Sequence, residues 1–509
     1  MSVKEDTSQG SHRQILKSTT LVGGSQVINI IIGIVRTKFM AILLGPAGVG
    51  LMGIYQSAIG MVGTITGLGI GSSGVRQIAE AAGSGDDKKI ARTIYALRRT
   101  AIILGFLGMG VTIALSKQLS LVTFGTKEHA WAFSLLAVTI LFRSVSGGQS
   151  ALIQGMRRIG DLAKISVIGA FLGTALSVPI VYLWREDGIV PSLIVVSAMS
   201  ILPSWLYARK IQVTRVFMSL RDVSREMRGL LVLGSVFMAS GVMTTGVDYF
   251  IRVYVGRELG MESVGLYQCA NTLSSLYIGV ILNAMGMDFY PRLTAVAEDN
   301  ETVNRLVNEQ TEVGLLLATP GILATLAFAP YLIQLFYSAK FVPAYEVLRW
   351  QILGIFLRVI AWPMGFILLA KGKSKAFFWT ELIWNGMHAV LVWGGVKLFG
   401  LVGTGMAFFG LYVTYTIGIY WVVRGITGFK WEGRNMTSGC FLLGSIIILF
   451  TSSYVVGETG AIWVAIILLG GTTFYCFHNL YVILGRAWFY TIAEKAVDQV
   501  GKLFPRSGV

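Results

Sequence analysis

The sequence predicts an all-α polytopic membrane protein of about fourteen transmembrane helices, arranged as two pseudo-symmetric six-helix lobes with two additional C-terminal helices. Three observations carry that expectation. Hydrophobic residues make up 54% of the 509 and charged residues only 13%, and the apolar residues run continuously instead of alternating with the polar faces that a soluble globule needs. Many of these runs reach about 20 residues, the length that crosses a bilayer as a helix. The chain also matches itself when shifted by about 215 residues, the mark of a long internal repeat. Arg36 then falls on Arg252, Arg76 on Arg292, Arg143 on Arg358, Arg209 on Arg424, and Val49-Gly50-Leu51 on Val264-Gly265-Leu266.

After a polar cytoplasmic tail at 1–14, apolar runs place helices near 18–43, 51–73, 96–117, 130–153, 165–184 and 189–208, forming an N-lobe over 15–208. A basic inter-lobe linker at 209–228 leads to six more near 229–255, 263–289, 313–337, 344–369, 376–398 and 402–423, the C-lobe of residues 229–425. Spans near 437–457 and 461–484 have no partner in the repeat, and 485–509 form a second cytoplasmic tail. Val303, Leu306 and Val307 recur at helical spacing, so a surface helix over 301–312 is expected to lead into the ninth span. Glycines at four-residue steps, Gly63, Gly67 and Gly71 in the second helix and Gly169 and Gly173 in the fifth, predict close approach of helix backbones. Gly69 to Gly74 spells GxGxxG, but no β-α-β context surrounds it, which removes the dinucleotide reading.

The net charge of +16 is topological, not a nucleic-acid signature. One alternate set of loops holds about 30 of the Lys and Arg and the opposite set about 6, which puts both termini in the cytoplasm. The first apolar segment is too long for a signal peptide. Cys269, Cys440 and Cys476 show no CxxC spacing, and His12, His129, His388 and His478 are scattered, so neither a metal nor a cofactor is expected. No external loop exceeds about a dozen residues, too little to house the chemistry of a membrane glycosyltransferase or polymerase.

Intramembrane charges that continue a polar stripe at helical spacing mark a cavity wall. Ser25, Asn29, Gly33 and Arg36 make such a stripe on the first helix, and Arg143, Ser146, Gly147, Ser150 and Gln154 on the fourth. Thr244, Thr245, Asp248 and Arg252 mark the seventh, Gln268, Asn271, Thr272, Ser275, Gly279 and Asn283 the eighth, and Gln351, Gly354 and Arg358 the tenth. Arg36, Arg143, Arg252 and Arg358 are thus the candidate substrate-binding cations of a central vestibule. Snorkelling to the headgroups competes for Arg36 and Arg252, which lie near helix ends, and accounts for Lys38; Asp248, four residues before Arg252, is placed to neutralise it. Guanidinium groups stay charged and bind phosphate oxygens bidentately, which suits a pyrophosphate. Intramembrane acids are scarce, which disfavours cation export; Asp248, Asp288, Glu381 and His388 are the candidates for ion coupling.

The run KFMAILLGPAGVGLMGIYQS, Lys38 to Ser57, together with the six-plus-six repeat, resembles the polysaccharide flippases of the multidrug/oligosaccharidyl-lipid/polysaccharide exporter superfamily, especially Wzx-type O-antigen and enterobacterial-common-antigen translocases. The resemblance covers roughly residues 15–425. It implies a non-enzymatic inner-membrane protein that moves undecaprenyl-diphosphate-linked oligosaccharide between leaflets by alternating access. It also implies a monomer among membrane lipids, with a polysaccharide polymerase and a chain-length regulator as candidate partners. By similarity to lipid II flippases, Arg36 and Arg252 match cationic positions on the first and seventh helices, and residues 437–484 a groove for the lipid tail. A drug/cation antiporter and a lipid II flippase are the alternatives.

Overall fold

Gly45 and Gly260 set the course of the chain. Each sits inside a long helix with dihedrals open to glycine alone, φ 66°, ψ −174° and φ 85°, ψ 169°, and each breaks its helix into two limbs. In the computed structural model, which describes residues 2–211, 218, 220–455 and 462–483, these are helices α1 (Ser2–Gly67) and α8 (Leu220–Ala295). Between them lie α2 (Ile70–Gly83), α3 (Asp87–Ala114), α4 (Ser116–Phe124), α5 (Ala130–Gly155), α6 (Ile159–Trp184) and α7 (Ile189–Ala208). After them come α9 (Asn300–Ala327), α10 (Ala329–Phe336), α11 (Tyr345–Ala370), α12 (Ser374–Phe399), α13 (Val402–Thr427), α14 (Gly433–Val455) and α15 (Ile462–Ile483). Among the described residues there is no strand, and ten segments are long and apolar enough to cross a membrane. The protein is an all-α, multi-pass membrane protein. The tail at 485–509 and the middle of the linker, 212–217, lie outside the described residues.

The sequence repeat recurs in the backbone. Asp86 and Asp299 cap α3 and α9 in the same way, each carboxylate accepting two backbone N–H bonds, from Lys88 and Lys89 and from Glu301 and Thr302. Thr302 holds the exposed Asp299 carboxyl below the usual carboxylate range, through its hydroxyl first and its backbone N–H second. Both helices run for 28 residues, and α5, α6, α11 and α12 all run for 26. Arg157 and Gly372 follow α5 and α11 with φ 56° and 64°, and Arg185 and Gly400 follow α6 and α12 with φ 49° and 57°. Positive φ is costly for arginine. Its return one repeat later at glycine shows that the fold, and not the local residue, demands that geometry.

The chain divides into two compact units, Met1–Cys269 with Ile333–Pro343, and Ala270–Leu332 with Ala344–Val509. In the first, Met40, Tyr55, Ile59, Phe133, Val190 and Tyr249 form a buried cluster that ties α1, α5, α7 and the first limb of α8. In the second, Phe289, Leu293, Val303, Val307, Met364 and Val423 do the same for α8, α9, α11 and α13. Val303 and Val307 are fully buried, so the helical spacing over 301–312 belongs to the packed start of α9 and not to a separate surface helix. Hydroxyls inside the bundles bond back to their own helix: Thr66, Thr112, Thr311 and Thr319 each donate to the carbonyl four residues earlier. These four donors are thereby satisfied within their own helices.

Apolar side chains gain little by leaving lipid for a neighbouring helix, so close backbone approach must hold the bundle. Gly50 and Gly265, paired by the repeat, supply it within the first unit. A Cβ on Gly50 would run into the Met261 carbonyl oxygen, and one on Gly265 into that of Pro46. Gly169 and Gly173 of α6 face α7 at close range, where a Cβ would stand 3.8 Å from Pro203 and 3.6 Å from Val196. Gly63, Gly67 and Gly71 do not form the expected seam, because nothing lies within 4 Å of where their Cβ atoms would be. A row of small residues clears a helix face equally for a backbone or for a void; here it clears a void. Replacing Gly265 by Ala is therefore expected to destabilise the protein by about 1–3 kcal/mol, read as a lowered midpoint of thermal unfolding in detergent. Gly63→Ala is expected to leave that midpoint unchanged, and equal shifts for the two variants would contradict the packing described.

Candidate functional site

The face cleared by those glycines opens into two adjoining cavities in the first unit. The larger, about 440 Å³, is walled by Gly63, Thr64, Gly67 and Gly71 of α1 and α2, by Ser144, Gly147 and Gly148 of α5, and by Phe237 and Met238 of α8. The smaller, about 270 Å³, is lined by Gly53, Gln56, Ser57, Asp248, Arg252 and Gln268. Gly60, Arg143 and Thr245 border both. A void with glycine backbone, hydroxyls, amides and two guanidinium groups in its wall can solvate a polar ligand in the middle of an apolar bundle.

The two arginines are held differently. Arg252 is buried, 6% exposed, and its charge is answered locally. Asp248, one turn earlier on α8, forms an ion pair with Nη1, and the Asp248 carbonyl accepts a further bond from it at 3.2 Å. The Gln268 Oε1 accepts from Nε at 3.0 Å and from Nη2 at 2.7 Å. Gly53 makes room for this cluster, since a Cβ there would stand 3.4 Å from Gln268 Oε1 and 3.8 Å from Arg252 Nε. Arg143 lies at the middle of α5, about 20 Å from either end at 1.5 Å per residue, too deep for its side chain to reach the headgroups. Among the described residues its guanidinium has no ion-pair partner. The chamber therefore keeps one positive charge uncompensated.

The remaining candidates of the first unit fall into other surroundings. Arg36 is half-buried on α1, with its Nε and Nη2 in no hydrogen bond among the described residues; it does not line the two cavities. Asn29 donates to Ser166 Oγ at 2.7 Å, tying α1 to α6. Ser146 donates to the Arg143 carbonyl and accepts from Ser200 Oγ at 3.2 Å. Ser25 and Ser150 are half-buried and Gln154 is exposed.

The second unit carries the others. Gln351 is buried, 1% exposed, with its Oε1 in no hydrogen bond among the described residues, and Arg358 is half-buried two turns further along α11. Asn271 and Ser275 are half-buried and Asn283 is exposed. Asp288 forms an exposed ion pair with Arg292 at 3.2 Å, worth little in water. The Asn385 amide lies 3.5 Å from the Glu381 carboxylate, and the His388 ring meets Phe408 edge-on. Among the described residues no three His, Cys, Asp or Glu gather to hold a metal.

Gln56, Ser57 and Gly60 line the site although their helix showed no charged stripe. The repeat contained the signal. Shifting the polar face of the eighth predicted helix, Gln268, Asn271, Thr272, Ser275 and Gly279, back by 215 positions lands on Gly53, Gln56, Ser57, Gly60 and Thr64, all of them cavity residues.

A cation-bearing polar chamber inside a repeated helical membrane fold is the build of a transporter. The chain belongs to the polysaccharide biosynthesis protein family, which residues 39–346 match. It is 21% identical to the lipid III flippase of Escherichia coli over 79% of this chain and 96% of that one. It is 24% identical to the succinoglycan biosynthesis transport protein ExoT of Rhizobium meliloti over 81% and 78% of the two chains. Its fold is shared with the lipid II flippase MurJ in an inward closed conformation, at a TM-score of 0.67 and 14% identity over 92% of this chain and 99% of MurJ. It is also shared with an inward-facing multidrug resistance transporter of the MATE family, at 0.63 and 16% over 81% and 94%.

Asp248 and Arg252 are expected to behave as one unit. Removing the carboxylate alone strands a buried cation and should cost about 3 kcal/mol, whereas Asp248→Ala with Arg252→Gln should cost less than the two single changes summed. A double-mutant cycle on thermal unfolding in detergent measures this. Strict additivity would show that the pair does not act as drawn.

Proposed function

We propose that this protein is a flippase for undecaprenyl-diphosphate-linked oligosaccharide, an O-antigen or related surface-polysaccharide repeat unit, moving it from the cytoplasmic to the periplasmic leaflet. The observation that carries the reading is the Arg143 guanidinium, uncompensated in the wall of a polar chamber at mid-span. A diphosphate supplies the missing negative charge and accepts the fork of N–H donors that arginine presents. The sugars occupy the polar cavity, and the polyprenyl chain stays in lipid. Family membership and the names carried by the relatives support the same substrate class.

In this reading six helices over 15–208 and six over 229–425 act as two lobes joined by the 209–228 linker, with residues 437–484 as a groove for the lipid tail. Fourteen crossings put both termini in the cytoplasm of a bacterial inner membrane, consistent with the basic loops. Arg36, Arg252 and Arg358 are the further candidate cations for the substrate, and Ser25, Asn29, Ser146, Ser150, Gln154, Gln268, Asn271, Ser275, Asn283 and Gln351 the candidate polar residues. The ligand drives alternation by binding the inward-open and outward-open states unequally. Ion coupling falls to Asp248, Asp288, Glu381 or His388. A monomer handing its product to a polysaccharide polymerase and a chain-length regulator completes the scheme. Export of drug cations is disfavoured because the acid that faces the cavity, Asp248, is already engaged by Arg252.

Arg143→Ala is expected to abolish surface polysaccharide, a loss of at least about tenfold for one charge-assisted bidentate contact, with normal amounts of protein in the membrane. Arg143→Lys should keep part of the function, because a point charge replaces the fork. Wild-type polysaccharide from a well-expressed Arg143→Ala strain would refute the assignment.

A further inference from the structure

A third cavity, about 230 Å³, lies on a neighbouring face of α5, lined from α3, α5 and α7 of the first unit, and Gly148 borders both it and the larger chamber. Two arginines face it. Arg98 is half-buried and spends one weak bond on the Ala208 carbonyl, Nη2 to oxygen 3.4 Å. Arg209, just past the end of α7, rests its guanidinium on the Trp205 ring, 4.3 Å from the centroid. Among the described residues neither has an ion-pair partner. Gln149 also lines the cavity; its Oε1 accepts from Ser204 Oγ at 2.5 Å, which leaves its amide N–H groups as donors. Three sets of donors converge, and no carboxylate answers them.

The repeat shows that the fold does not require this. Aligned from their capped starts, α3 and α9 put Thr311 where Arg98 stands, and Met364 lies 215 residues after Gln149. Thr311 and Met364 are buried in the second unit, at 1% and 0% exposure. The second unit fills these two places with core residues and keeps a cation at Arg424, stacked against Trp421, whereas the first keeps a void edged with two cations. The surroundings identify the occupant. Trp205, 44% exposed, marks the interface depth at which tryptophan sits in membranes, and the exposed side chains Ile102, Leu202 and Leu206 lie on the same two helices.

We propose that this cavity is a binding site for the headgroup phosphate of an anionic phospholipid, with Arg98 and Arg209 clamping the phosphate, Gln149 donating to it and Trp205 lying along the glycerol region. The inference is independent of the transported substrate, since Arg98 and Arg209 line neither of the cavities that Arg143 borders. The lipid acts as a bolt between α3 and α7.

Native mass spectrometry of the full chain, released from detergent micelles doped with dioleoyl phosphatidylglycerol or dioleoyl phosphatidylcholine, tests it. The wild type should retain phosphatidylglycerol in preference to phosphatidylcholine, and Arg98→Gln and Arg209→Gln should each cut that preference about fivefold. Lysine at either position should keep part of it, and Arg76→Gln, on an exposed i,i+4 pair, should keep all of it. Arg209 is exposed, so Arg209→Gln alone decides the matter if Arg98→Gln does not fold. An unchanged preference in that variant would overturn the proposal. So would retention of inorganic phosphate with the same arginine dependence and no preference between the lipids, because that reassigns the site to a soluble anion.

Discussion

A permanent charge inside an apolar bundle must be cancelled, hydrated or used, and the two cavity arginines of the first unit take different routes. Arg252 is cancelled by Asp248 and Gln268, all three within two limbs of one helix. Arg143, at the same cavity, is not. Arginine does not shed its proton to escape the penalty, so the cavity around Arg143 must hold water or an anion. The glycines on α1 and α5, which look like a packing device, are what keep that space open.

The same logic explains why a repeat with nearly identical backbone carries different chemistry in its two copies. Glycine breaks at 45 and 260 and paired positive-φ turns preserve the architecture, and they can be shared because they concern main-chain geometry alone. Charged side chains are not bound by that constraint. Arg98 in one copy becomes Thr311 in the other, and Gln149 becomes Met364. Similar scaffolds thereby carry a cavity edged by Arg98 and Arg209 in one unit and buried core residues at two of the matching places in the other.

Much of the fold was legible because its determinants are local. Continuous apolar runs marked an all-α membrane fold, in which ten segments among the described residues are long and apolar enough to cross, and the shift of 215 residues marked helices of matching length. Two of the arginine stripes contain Arg143 and Arg252, which border the cavities. Three features were hidden for physical reasons. Spacing alone cannot say whether small residues admit a neighbour or leave a gap, so Gly63 and Gly67 were misread while Gly169 was not. The partnership of Gln268 with Arg252 depends on the reversal at Gly260, a tertiary event that periodicity does not encode. Arg98, in the third predicted span, and Arg209, at the start of the linker, lie 111 positions apart in sequence (209 less 98), and only the packing of α3 and α7 around α5 brings them to one cavity.

The central claim is that Arg143 makes a hydrated, positively charged chamber. Charge-selective labelling probes it most directly. In a chain with Cys269, Cys440 and Cys476 replaced by Ser, a single cysteine at Gly63, which faces open space, is exposed to anionic and cationic methanethiosulfonates of equal size. The account predicts faster reaction with the anionic reagent, loss of that preference in Arg143→Gln, and no reaction at a lipid-facing Phe106→Cys control. A cysteine at Gly63 that fails to react, or reacts without regard to the sign of the reagent, would contradict it.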